Sequence, residues 1–352
     1  MAGMEMNRRE LIRLGLLAGA GSIAGSALLR ATDAHAASEV VAAIFPGSWE
    51  DAFQKVVSPA FKEAAGGDLV LSPALASDQL GKMMASPSSP PYDALLMSPG
   101  QSAIAIENNL IEKVDPSQIP NWGELSDPSF QNEWGPAVTI QLDGLAYNPQ
   151  KVRAPKGYGD LFSPDFYGKV AFTGFKSNSA VMAWIQTAKA FGGSEQNLDP
   201  LWPKVKDYLQ HVGAIANDMN HQQSLFQQGE IDVMIASTGN VARLKSLGVS
   251  IEFVVPEEGA LATPVNIHLA KGAKDPQSVY AYMNTVISAK VQDALQAAPL
   301  NNFPTNKSVT LAPDVAKYAT REQLPSFVYL DWKNINAKRA EWTAKFDEVV
   351  RQ

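Results

Sequence analysis

The 352-residue sequence contains no cysteine. That excludes disulfides, thiolate metal sites and a lipid anchor on a cysteine behind a processed leader. A thiol-free chain also suits an oxidising compartment. Histidine is scarce, with four in the chain, and His211, His221 and His268 show no H-E-x-x-H or related metal-ligand spacing. A G-x-S-x-G elbow, a G-x-x-x-x-G-K-[ST] phosphate loop and a dinucleotide fingerprint are all missing. Glu257 and Glu258 form a carboxylate pair, but neighbours on a strand point to opposite faces and make poor acid–base partners. No catalytic arrangement stands out and no cofactor is expected; an exported hydrolase is the alternative from another functional class. Repeats, low-complexity tracts and runs of like charge are absent too. Excess positive charge is also lacking, since the formal net charge is −7. Nucleic acid and anionic membranes are therefore poor partners.

No apolar run is long enough to span a bilayer. The longest, Leu14–Leu29, is about 16 residues against the ~20 needed, and Gly15, Gly19, Gly21 and Gly25 interrupt it. Arg8-Arg9 precedes it, and Ala34-His35-Ala36 follows with the small-x-small pattern of a signal peptidase site. Paired arginines and a weakly hydrophobic glycine-rich core resemble a twin-arginine signal. Residues 1–36 are expected to be a leader, cleaved after Ala36, that delivers the folded chain to the periplasm. The alternative is an uncleaved N-terminal anchor.

The remaining length suits roughly two domains of ~150 residues. Strands and helices alternate: Val40–Phe45 before a helix opened by Ser48-Trp49-Glu50-Asp51, Asp93–Met97 before Ser102–Asn108, Lys169–Thr173 before Ser179–Phe191, and Asp232–Ala236 before Val241–Leu247. Ser48 with Asp51 has capping-box spacing. The alternation predicts an α/β protein built on parallel sheets. Val138–Asn148 and Ala262–Ala270 break it as long extended segments and read as crossovers between two lobes. The expected lobes are 37–138 with 265–305, and 139–264 with 306–352, the Pro299–Asn306 bend carrying the chain between them.

In open α/β sheets, ligands bind beyond the carboxyl ends of strands, where helix N-termini offer unpaired N–H groups. Four such turns are rich in small polar residues: Gly47-Ser48, Ser98-Pro99-Gly100 with Gln101, Ser177-Asn178-Ser179, and Ser237-Thr238-Gly239-Asn240. Each taken singly reads as ordinary capping. Two from each lobe, brought together, would surround a small polar solute. Trp49 could stack on that solute or pack in the core. Lys176, beside a helix N-terminus, gains nothing from the helix dipole; it is either a solvated lysine or a partner for an anionic group. Asp143, in the first crossover, could meet an amino group or serve the strand end. The other six tryptophans read as packing residues.

Several segments occur in an order that resembles extracellular solute-binding proteins of the spermidine/putrescine-binding type. They are Tyr92-Asp93-Ala94-Leu95-Leu96, Asn109–Asp115, Ile119-Pro120-Asn121, Gly144-Leu145-Ala146-Tyr147-Asn148, Asp160-Leu161-Phe162, Gly168-Lys169-Val170, Pro256–Gly259 and Lys271–Pro276. The resemblance implies a type II periplasmic binding protein fold with two discontinuous lobes. It also implies a monomeric receptor that passes a small-molecule ligand to the permease subunits of an ABC importer. The family pattern departs at the ligand: a Trp and an Asp of polyamine binders are matched here by Thr263 and Val265. Gly174–Asn178 lacks the expected acids, and a Trp gives way to the neighbourhood of Ala236 and Ser237. A buried ammonium without a carboxylate costs several kcal/mol. An anionic, zwitterionic or neutral solute is therefore favoured over a polyamine, with Thr263 added to the candidate contacts.

Overall fold

A computed structural model describes residues 38–127, 130–259, 261–297 and 300–351. The expected leader lies outside them. Among the described residues no helix is long and apolar enough to cross a membrane.

Eleven strands are present among the described residues: β1 (Val40–Ile44), β2 (Leu69–Pro73), β3 (Ala94–Met97), β4 (Ile111–Glu112), β5 (Gln131–Asn132), β6 (Gly135–Tyr147), β7 (Ala171–Thr173), β8 (Ala214–Ala216), β9 (Val233–Ser237), β10 (Glu252–Val254) and β11 (Leu261–Ala270). β1 pairs in parallel with β2 and β3, and β7 with β8. The two crossovers depart from the all-parallel expectation. β11 runs antiparallel to β3 and to β6, and β9 and β10 are both antiparallel to β6. A long strand that leaves one lobe and enters another need not return through a helix, so the right-handed parallel rule does not bind it.

Nine strands, in the order β10-β6-β11-β3-β1-β2 with β4, β5 and β9 off this path, form one sheet, and β7 and β8 form a separate pair. Both faces are covered, which is why most of the strands read as unbroken apolar runs. Alternate residues divide between the faces. Ala42, Ile44, Ala94 and Leu96 join one buried cluster, and Ala43, Leu95 and Met97 another. In the second lobe Leu145, Phe172 and Val233 face one cluster while Ala146, Ala171 and Met234 face its opposite. The bend after residue 299 does not carry the chain across. Phe303, Val315, Ala319 and Leu324 stay in the cluster of Val40. Arg321 fixes this return by donating to the carbonyls of Pro304, Asn306 and Val309 at 2.7–3.0 Å. The crossing comes later, where Val328 bridges Leu261. The closing helix Trp332–Val350 then buries Trp342 and Phe346 against Phe175 and Trp184.

Strand β6 carries the joint. Its residues 137–143 pair with β11, and residues 143–147 pair with β9. Asp143 is held on both edges, opposite Leu261 and Ser237, where the pairing passes from β11 to β9 and β10.

Candidate functional site

The four strand-to-helix turns have different fates. At the first, the helix begins at Ser48 and its N-cap is Gly47, with φ +76° and no side-chain cap bond. The expected capping box does not form. Glycine adopts this left-handed conformation without a Cβ penalty, and the Ser48 hydroxyl is left for another task. Trp49 meets Phe45 edge-on at 5.5 Å and Phe53 at 5.9 Å, so it is partly a packing residue.

The second and third turns touch each other. Asn178 Nδ2 donates to Gln101 Oε1 at 2.8 Å, joining a helix of each lobe. Asn178 Oδ1 accepts from Arg339 Nη1 at 3.1 Å. Ser98 is an N-cap with no side-chain cap bond. Ser177 caps its helix by accepting from the Ala180 N–H at 3.1 Å. Lys176 is exposed, its carbonyl taken by Arg339.

Ser179 donates to Asp143 Oδ1 at 2.9 Å, and Thr263 to Oδ2 at 3.5 Å. Gln141 Nε2 approaches both oxygens, at 3.3 and 3.4 Å. Asp143 is thus ringed by neutral donors. Burial pushes its carboxyl up to about 6, with those hydrogen bonds opposing the rise.

A cavity opens between the first and fourth turns. Its volume is about 200 Å³. Six of the residues singled out in the sequence line it: Ser48, Trp49, Ser237, Thr238, Gly239 and Asn240. Gly47, Ser98, Gln101, Asp143, Lys176, Ser177, Asn178 and Thr263 do not. Along the adjoining edge of β6, Ile140 pairs with Phe303 and Asp143 with Ser237. Gln141 lies between those pairings, where the strand changes partner, and it lines the cavity.

The sequence reading missed Gln141, Arg243 and the segment Leu300–Asn302, all of which line this space. Asn301 has φ +48°, unusual for a residue with a side chain. Its Oδ1 and the Nδ2 of Asn302 are buried without a hydrogen-bond partner. A Cβ on Gly239 would stand 2.8 Å from the Leu300 carbonyl oxygen. Glycine there lets the loop press against the helix N-terminus. The Asn-Asn pair beside a proline was a usable signal, while Arg243 had none.

One arrangement bears on the hydrolase alternative. Ser102 Oγ lies 2.7 Å from His268 Nε2, and His268 Nδ1 lies 2.8 Å from the Trp134 carbonyl. The carbonyl can only accept, so Nδ1 carries the proton and Nε2 accepts from Ser102. Burial lowers the His268 pKa to about 4, far from the value that suits a general base near neutrality. With no carboxylate on Nδ1, the pair pins the helix Pro99–Glu107 to β11. Glu258 is likewise structural, accepting from the N–H groups of Tyr158 and Gly159 at 3.2 and 3.3 Å.

Comparison with known proteins agrees with this architecture. Residues 57–323 match the family described as bacterial extracellular solute-binding protein. The spermidine/putrescine-binding periplasmic protein of Escherichia coli is 23% identical over 257 residues, covering 67% of this chain and 68% of that one. The putrescine-binding periplasmic protein SpuD of Pseudomonas aeruginosa is 24% identical, covering 92% and 95%. Among solved structures, an ABC transporter from Clostridium perfringens superposes with a TM-score of 0.75 at 22% identity, covering 88% of this chain and 99% of that one.

Proposed function

The chain belongs to the bacterial extracellular solute-binding proteins, and from that premise we propose that the cavity between its first and fourth turns holds a small polar organic solute for an ABC importer. The observation that carries this reading is the lining itself. Ser48 of one turn, Ser237 and Thr238 of the other, the Trp49 ring, Gln141, Asn301 and Asn302 line one polar space. Polar groups placed this way fix the orientation of a small solute by hydrogen bonds.

The mechanism needs no covalent chemistry. The solute enters with the lobes apart, and closure about β6 and β11 brings the first and fourth turns onto it. The Gln101–Asn178 contact holds the closed form at the opposite pair of turns. The permease subunits then read the closed shape. In this proposal the chain works in the periplasm as a monomer, after export by its twin-arginine leader and cleavage behind Ala36. A family of solute-binding proteins favours capture over turnover, and with it a receptor over a hydrolase.

The names of the relatives favour a polyamine as the second reading of the ligand. Against it, the residues lining the cavity include no carboxylate.

The test is the pair Ser48→Ala and Trp49→Ala in one protein. Solute affinity measured by calorimetry is expected to fall at least tenfold, since a stacked ring and a hydroxyl are lost together. The circular dichroism spectrum should be unchanged. Full affinity in the double variant removes the first turn from the site.

A further inference from the structure

Resting on that reading of the cavity, we infer that the solute carries an anionic group, held by the guanidinium of Arg243 on the helix Thr238–Ser246. Two features converge. Arg243 is the single charged residue among those lining the cavity. Its Nη2 donates to Gln223 Oε1 at 2.8 Å, a neutral partner that steadies the guanidinium without neutralising it. Among the described residues it forms no ion pair with a carboxylate. A guanidinium with its fork unspent favours carboxylate or phosphate geometry.

The helix adds a second contribution. Its first turn, Thr238 to Asn240, forms part of the wall, and the partial positive charge of a helix N-terminus favours an anion. Arg243 stands in the last turn of that helix and lines the same cavity as Thr238 to Asn240.

The segment facing that turn is polar as well, with Asn301 and Asn302 among the residues that line the cavity. A dication would meet Arg243 with repulsion. Asp143, two strand positions from the lining residue Gln141, does not reverse this, because Ser179, Thr263 and Gln141 already donate to it.

Three probes with four-carbon skeletons separate the possibilities by charge alone: succinate, 4-aminobutyrate and putrescine. Each is titrated calorimetrically into the purified protein, into Arg243→Gln and into Asn302→Ala. A carboxylate-bearing probe is expected to bind and putrescine not to. Arg243→Gln should weaken that binding about 10- to 100-fold, the range for a hydrogen bond to a charged group. Asn302→Ala should weaken it several-fold. An unchanged melting temperature in either variant separates lost contact from lost fold.

Tighter binding of putrescine, or carboxylate binding that survives Arg243→Gln unchanged, overturns the inference and leaves the receptor reading intact. Binding of none of the three also overturns it. The receptor reading is then decided separately, by whether the purified protein retains a solute in its native mass spectrum.

Discussion

Asp143 shows how far a single residue can be read before its neighbours are known. The sequence left it open between a ligand contact and a strand-end role, and the structure surrounds it with three neutral donors, Gln141, Ser179 and Thr263. Its folded pKa, raised by burial to about 6, lies above the ordinary 3.8. The folded state therefore holds the proton more tightly than the unfolded chain. The charged carboxylate costs stability above pH 6, and this cost fades as pH falls toward 4. At 1.36 kcal/mol per unit, the cost at neutrality is on the order of 2–3 kcal/mol. Asp143→Asn is expected to be more stable than the parent at pH 7.5 by roughly that order, with the gap clearly narrower at pH 4.5. Urea unfolding at the two pH values checks it. A gap that does not change with pH contradicts the assignment. Arg243 was illegible for a different reason. Nothing in Val241–Leu247 separates a helix-face arginine from a solvated one until the direction of that face is known. Asn301 and Asn302 depend in turn on Gly239, which permits their close approach.

At the scale of elements, the strand-to-helix turns were legible because their chemistry is local. Ser177 and Ser237 cap the helices that follow them, as Ser at an N-cap does. Ser48 obeyed no such rule, because Gly47 took the capping position. The helix after it continues through a π turn, Phe53–Val57, before Pro59 in the segment Ser58–Ala65. A wider turn relieves the missing N–H and the ring clash of a proline inside a long helix. The contact between the second and third turns could not be read, since it joins residues 77 positions apart. Gln101→Ala removes one neutral hydrogen bond between the lobes, worth about 1 kcal/mol. Solute affinity should drop about fivefold by calorimetry, with melting temperature of the solute-free protein unchanged. Equal affinity would mean that this contact does not help hold the closed form.

Over the whole molecule, the alternation of strands and helices indicated two α/β lobes, and two long extended runs indicated the crossovers. The antiparallel pairing of β6 with β9, β10 and β11 was hidden, because strand direction depends on which lobe each segment enters. The return of residues 303–324 to the first cluster was hidden as well. It depends on Arg321 reaching three carbonyls of a distant bend. These placements bring Leu300–Asn302 to the cavity wall and give the receptor reading its physical content: one space, walled by both lobes and by the crossover that joins them. Native mass spectrometry of the freshly purified protein tests that claim most directly. The account predicts one intact small solute per chain, depleted in Arg243→Gln and in the Ser48→Ala, Trp49→Ala double variant. A chain that carries no solute, or one that converts its solute on incubation, contradicts it.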